Sequence, residues 1–175
     1  MNFFELYELP VSFMLEEAAV KRKFLALSKK FHPDFFVNES EAEQQEALAM
    51  STIITRAYQV LSDFDRRMQY ILELKQVISA GERYELSPAF LMEMMEINEA
   101  LMELEHDKDA DKAAALRKQV ATLSASLDEE VRPVLISYRE DAPDENVLKK
   151  IKDCYYRRRY LLRIQQSLDT FAARQ

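Results

Sequence analysis

The sequence predicts an all-helical protein, on three grounds. Its 175 residues include one glycine, Gly81, and no Asn-Gly pair, so the tight turns that join neighbouring strands have nothing to build them. Apolar residues recur at spacings of three and four over long stretches, which is the period of a helix with one buried face. A hydrophobic share of 48% is ample for a core and sets the chain apart from disordered sequences.

The elements follow in order. A short first helix covers Phe3 to Leu9 and stops at Pro10. The second spans about residues 14–31 and sets Val20, Phe24, Leu27 and Phe31 on one stripe, with its basic residues off that stripe. The third, about 42–62, repeats the pattern with Ala47, Met50, Ile54, Ala57 and Leu61, and "DRRMQYILEL" supplies a short fourth. Two long helices joined by a loop of about ten residues pack as an antiparallel hairpin. "QVISAGERYELSP" then loses periodicity, holds the only glycine and ends in Ser87-Pro88, an N-cap followed by proline at the first helical position. The fifth helix covers about 88–105. The sixth covers about 109–140, with Pro133 expected to break or kink it. "DAPDEN" opens the seventh, about 143–172. The expected organisation is a helical unit over 1–75, a linker over 76–87 and a second helical unit over 88–175, with no internal repeat.

Charge and composition narrow the function classes. A net charge of −7 argues against nucleic acid, whose phosphates need a basic surface. "CYYRRRYLL" interleaves aromatics with arginines, yet one helix cannot aim all of them at one strand, and the arginines are expected to face the acidic fifth helix or solvent. The opening "MNFFELYELP" has no basic lead into an apolar stretch, and nothing approaches 18 apolar residues in a row, so a cytoplasmic protein that does not enter a membrane is expected. The lone Cys154 falls on the apolar side of its helix with Ile151 and Leu161, which suits a buried thiol in a reducing compartment. Against this acidic background "KRKFLALSKK" carries five positive charges and no negative one. Such a face suits an acidic protein partner, although it is also compatible with a merely solvated helix.

That basic run ends in His32-Pro33-Asp34. Pro33 forces the preceding residue out of the helical region, and Asp34 is able to bond nearby backbone amides and hold a turn. No Ser or Cys nucleophile lies nearby, and the only other histidine, His106, sits in "ELEHDKDAD", too few ligands for zinc. No catalytic residue, metal or cofactor is expected. In the second half, Phe90, Met94, Ile97, Leu101 and Leu104 step by four, three, four and three, a complete core-facing seam. Leu91, Met92 and Met95 are left over on an adjoining face, continued by Glu96, Glu99 and Glu103. The residues alone leave open whether this is a wider core or a protein-binding patch.

A basic helix, His-Pro-Asp, a loop and "ITRAYQVLSDFDRRMQYIL", preceded by "FFELYELP", together resemble the J-domain of co-chaperones that act on DnaK-type ATPases. The resemblance covers residues 1–75. It implies that His32, Pro33 and Asp34 form the loop that stimulates ATP hydrolysis, with Arg22, Lys23, Lys29 and Lys30 as its basic contact. Two positions depart from the family pattern: Leu25 and Phe35 stand where basic residues are common. A J-domain followed by a short linker and a three-helix bundle containing "FLMEMMEINEAL" resembles the HscB family of iron–sulfur cluster co-chaperones over nearly the whole chain. That likeness implies a C-terminal domain that holds an IscU-type scaffold protein through Leu91, Met92, Met95, Glu96, Glu99 and Glu103, joined by Tyr160 of the last helix. It further implies delivery of the scaffold to a DnaK/HscA-class chaperone ATPase, an adaptor's role with no enzymatic step. A J-domain co-chaperone for a different client is the alternative.

Overall fold

A computed structural model describes residues 1–173, and every described element is a helix or a turn. The helices are α1 (Phe3–Leu6), α2 (Glu17–Lys30), α3 (Glu41–Ser62), α4 (Phe64–Leu74), α5 (Pro88–Asp107), α6 (Ala110–Ser137) and α7 (Glu145–Ala173), with a 3-10 turn at Pro33–Phe36. Local capping sets the starts of α1, α3, α4 and α5. Asn2 and Glu5 cap α1 reciprocally, and Ser40 and Glu43 do the same for α3. Asp63 accepts from the Arg66 amide at the start of α4, and Ser87 accepts from the Phe90 amide ahead of Pro88. The first helix is shorter than expected because Glu8 takes a positive φ of 49° just beyond it. The second starts later because the Ser12 hydroxyl accepts from the Met14 amide and holds a turn there. Pro133 does not break α6, which continues to Ser137. Val131 and Leu135, buried on either side of it, hold the helix in place by packing.

The chain forms two compact units: Met1–Val77 with Tyr138–Pro143, and Ile78–Ser137 with the chain from Asp144 onward. In the first, α2 and α3 pack side by side around Val20, Ile54, Ala57 and Leu61, with Phe24 stacked on Tyr58. Phe4 and Tyr7 are buried beneath, and the Tyr7 hydroxyl donates to the Ile54 carbonyl at 2.7 Å. Residues Tyr138 and Glu140 join this unit through an edge contact with Phe13 and an ion pair with Lys75.

Arg67 is the buried charge of this unit. Its Nε donates to the Phe13 carbonyl at 3.0 Å and its Nη1 to the Leu61 carbonyl at 2.5 Å, while burial lowers the guanidinium pKa. It thereby satisfies two carbonyls that lie outside regular helix bonding. Replacing Arg67 with Met keeps the apolar stem but strands both carbonyls, so urea unfolding of the full chain should show a loss of about 3 kcal/mol. A loss under about 1 kcal/mol would mean that water reaches those carbonyls instead.

In the second unit α6 and α7 pack along much of their length and α5 lies against both. Its core includes Phe90, Met94, Ile97, Leu116, Val120 and Ile151. Cys154 is fully buried, as its apolar helix face predicts. Residues 78–87 are pinned to α7. Glu82 pairs with Lys152 and accepts from the Tyr156 hydroxyl, and the Tyr84 ring stacks on Tyr156 at 4.5 Å. Burial, with the bonds donated to Asp153 and Glu82, pushes both tyrosine hydroxyls up to about 12.

Candidate functional site

Two surfaces emerge from these units. The first surrounds His32, which caps the 3-10 turn. Its Nδ1 accepts from the Asp34 amide at 3.3 Å and lies 3.6 Å from the Asp34 carboxylate, and its carbonyl accepts from the Phe35 amide. The sequence reading assigned amide bonding in this turn to Asp34, but the acceptor is the imidazole. The reason is local: an extended backbone at His32 (φ −67°, ψ 127°) folds its ring back over the first amide of the turn. His32, Pro33 and Asp34 are all exposed, and the Phe35 ring sits edge-on to His32 at 6.1 Å.

Arg22, Leu25, Lys29 and His32 follow one another at steps of three, four and three, so one exposed face of α2 leads straight into the tripeptide. Arg22, Lys29 and Lys30 are exposed on α2, and Lys30 also lies over the Phe31 ring. Lys23 differs from them. It lies toward the flank and pairs with Glu8 at 2.5 Å, which holds the Glu8 carboxyl below its usual range. Leu25 and Phe35 are 57% and 64% exposed, apolar groups set among these cations.

The second surface is on α5. Leu91, Met92 and Met95 are 46%, 71% and 61% exposed, so they are not additional core. Glu96, Glu99 and Glu103 are exposed along the same side. Tyr160 reaches this helix from α7: its hydroxyl accepts from Asn98 Nδ2 at 2.7 Å and its ring meets Phe90 edge-on. The structure therefore brings all seven expected residues of this face onto α5 or against it. Sequence reasoning missed two neighbours. Asn98 anchors Tyr160, and Met102, 65% exposed, continues the row Leu91–Met95–Asn98 by one more helical step. Extending that row by four residues would have found Met102.

Of the arginines of "CYYRRRYLL", Arg159 is exposed to solvent, as expected, while Arg157 and Arg158 meet acids other than those of α5. Arg157 pairs with Glu130 and Asp153, and Arg158 pairs with Asp128, so their main partners are acids of α6. Arg157 holds the Glu130 carboxyl below its usual range. That pairing takes both guanidinium groups away from any phosphate-binding role. Among the described residues no three His, Cys, Asp or Glu side chains converge as a metal site, and no helix is long and apolar enough to cross a membrane.

Comparison with known proteins fits this division. Residues 3–70 match the DnaJ domain family, and residues 86–169 match the HSCB C-terminal oligomerisation domain family. A co-chaperone protein HscB homolog of Haemophilus ducreyi is 34% identical over 138 residues, covering 77% of this chain and 79% of the relative. The chain belongs to the HscB family of J-domain co-chaperones. A Vibrio vulnificus HscB homolog is 40% identical over 66% of this chain and 68% of its own length. With a Vibrio cholerae homolog the identity is 42%, and the match spans 60% of that relative. The solved structure of chaperone HscB from Vibrio cholerae superposes with a TM-score of 0.75 at 27% identity, covering 99% of both chains. Human co-chaperone protein HscB shares the fold, with a TM-score of 0.80 at 24% identity over 97% of this chain and 81% of the human one.

Proposed function

We propose that this HscB-family protein is an adaptor that binds an IscU-type iron–sulfur scaffold and presents it to a DnaK/HscA-class chaperone ATPase, whose ATP hydrolysis it stimulates. The observation that carries the reading is the pair of surfaces left uncovered once both cores are filled. One is an exposed His32-Pro33-Asp34 turn at the end of a basic helix face, and the other is an exposed Leu-Met-Glu face on α5. The protein performs no chemistry of its own and works in the cytoplasm with no resident cofactor. Its J-domain acts by differential affinity: His32, Pro33 and Asp34, with Arg22, Lys29 and Lys30, bind one conformational state of the ATPase better than another and shift it toward hydrolysis. Lys23 contributes once its pair with Glu8 opens.

The α5 face contributes affinity through Leu91, Met92 and Met95, whose apolar side chains lose water on binding. Glu96, Glu99 and Glu103 select a basic partner surface. Tyr160, fixed by Asn98, adds a rigid aromatic with a polar tip. Titration of the full chain with a purified scaffold of the IscU type should give saturable, one-to-one binding. Absence of binding, together with intact stimulation of the ATPase, would assign the protein to a different client.

A further inference from the structure

The seam on α5 has one member that its own bundle does not cover. Leu101 has the spacing of a core residue, yet it is only half-buried, and so is Phe171 on α7. Between α5 and α7 the structure holds a cavity of about 850 Å³ that both residues line, with Met102 at its edge. A second cavity of about 250 Å³ adjoins it and is lined by Tyr160, Ile164 and Leu101. The two share Asn98, Leu101 and Ser167, so together they form one groove that begins at the Asn98–Tyr160 hydrogen bond and continues past Ser167 to Phe171.

Its volume holds several side chains, as a site for a folded or extended peptide segment would. Leu101, Leu104, Leu168 and Phe171 supply apolar surface, and Asn98, Ser167 and Thr170 offer polar groups to a bound backbone. Glu105, Lys108 and Arg163 add charges to the lining. We infer that this groove is an extension of the scaffold-binding face, and that it takes a short segment of the iron–sulfur scaffold carrying apolar side chains over Leu101, Met102 and Phe171. Continuity supports this occupant. The groove starts at Tyr160 and Asn98, and Met102 belongs to the same exposed helical row as Leu91 and Met95. The inference rests on the scaffold-binding reading and adds to it a second, apolar contact region.

Two exposed positions test it without disturbing the core. Ser167→Tyr fills the junction of the two cavities, and the bond it removes is only the hydroxyl's contact with the Arg163 carbonyl of its own helix. Met102→Glu places a charge at the groove edge. Each should weaken scaffold binding by about tenfold or more in calorimetric titration, with helical circular dichroism unchanged. Wild-type affinity in both variants, while Ala at Leu91, Met92 and Met95 loses binding, would overturn the groove and leave the scaffold reading standing. Failure of the wild-type protein to bind the scaffold would remove the reading and the groove with it. Unchanged scaffold affinity with a change in sedimentation behaviour would show that a second copy of this chain is the occupant, and would overturn the inference equally.

Discussion

His32→Gln should reduce stimulation of a DnaK-class ATPase by about tenfold or more, to near its basal rate, while scaffold affinity and the thermal unfolding profile stay as in the wild type. The fold has little stake in this side chain. His32 is exposed, and its side chain touches only its own turn: the 3.3 Å bond from the Asp34 amide, the Asp34 carboxylate at 3.6 Å and the edge of the Phe35 ring. His32 caps the 3-10 turn, but glutamine keeps a side-chain acceptor for the same amide, so stability should change by less than about 0.5 kcal/mol. Glutamine is close in size but lacks the ring that sits edge-on to Phe35 and sets the Asp34 amide. A tenfold loss corresponds to about 1.4 kcal/mol of differential binding, well within what one contact at the centre of an interface supplies. Stimulation at the wild-type level would show that the tripeptide is only a proline-stopped helix end.

The second large effect is expected on α5. Replacing Leu91, Met92 and Met95 together with Ala should weaken scaffold binding by about a hundredfold, near 3 kcal/mol, because each removes apolar area that docking would bury. Helical content should be preserved, since all three side chains are exposed and alanine is the strongest helix former. ATPase stimulation measured without scaffold should not change. Retained affinity would make these residues bystanders and shift attention to the glutamates alone.

Most of this architecture is legible in the sequence. Helical period and the near absence of glycine were enough for the fold class, and the Phe90–Met94–Ile97–Leu104 seam left Leu91, Met92 and Met95 outside the core, where the structure finds them. The capping residue Ser87 marked the start of α5, because a cap is a local event within four residues. What periodicity cannot supply is the neighbour. It shows that Arg157 and Arg158 lie on a helix, but which acids they meet depends on how α6 packs, and those acids are Asp128 and Glu130. The same limit hid Arg67, whose partners Phe13 and Leu61 are remote or on another helix. It also made Leu101 look like complete core, since spacing gives a face and not the distance to the helix opposite. The break allowed for at Pro133 does not occur for a related reason: the buried neighbours Val131 and Leu135 hold a helix that local preference alone would end.

The most direct test of the adaptor reading is ATP hydrolysis by a DnaK-class chaperone with this protein, with an IscU-type scaffold, and with both. The reading predicts stimulation by the protein alone, a further rise when scaffold is added, and loss of only that further rise in the Leu91, Met92 and Met95 triple-alanine variant. Stimulation that is the same with and without scaffold would contradict the coupling of the two surfaces.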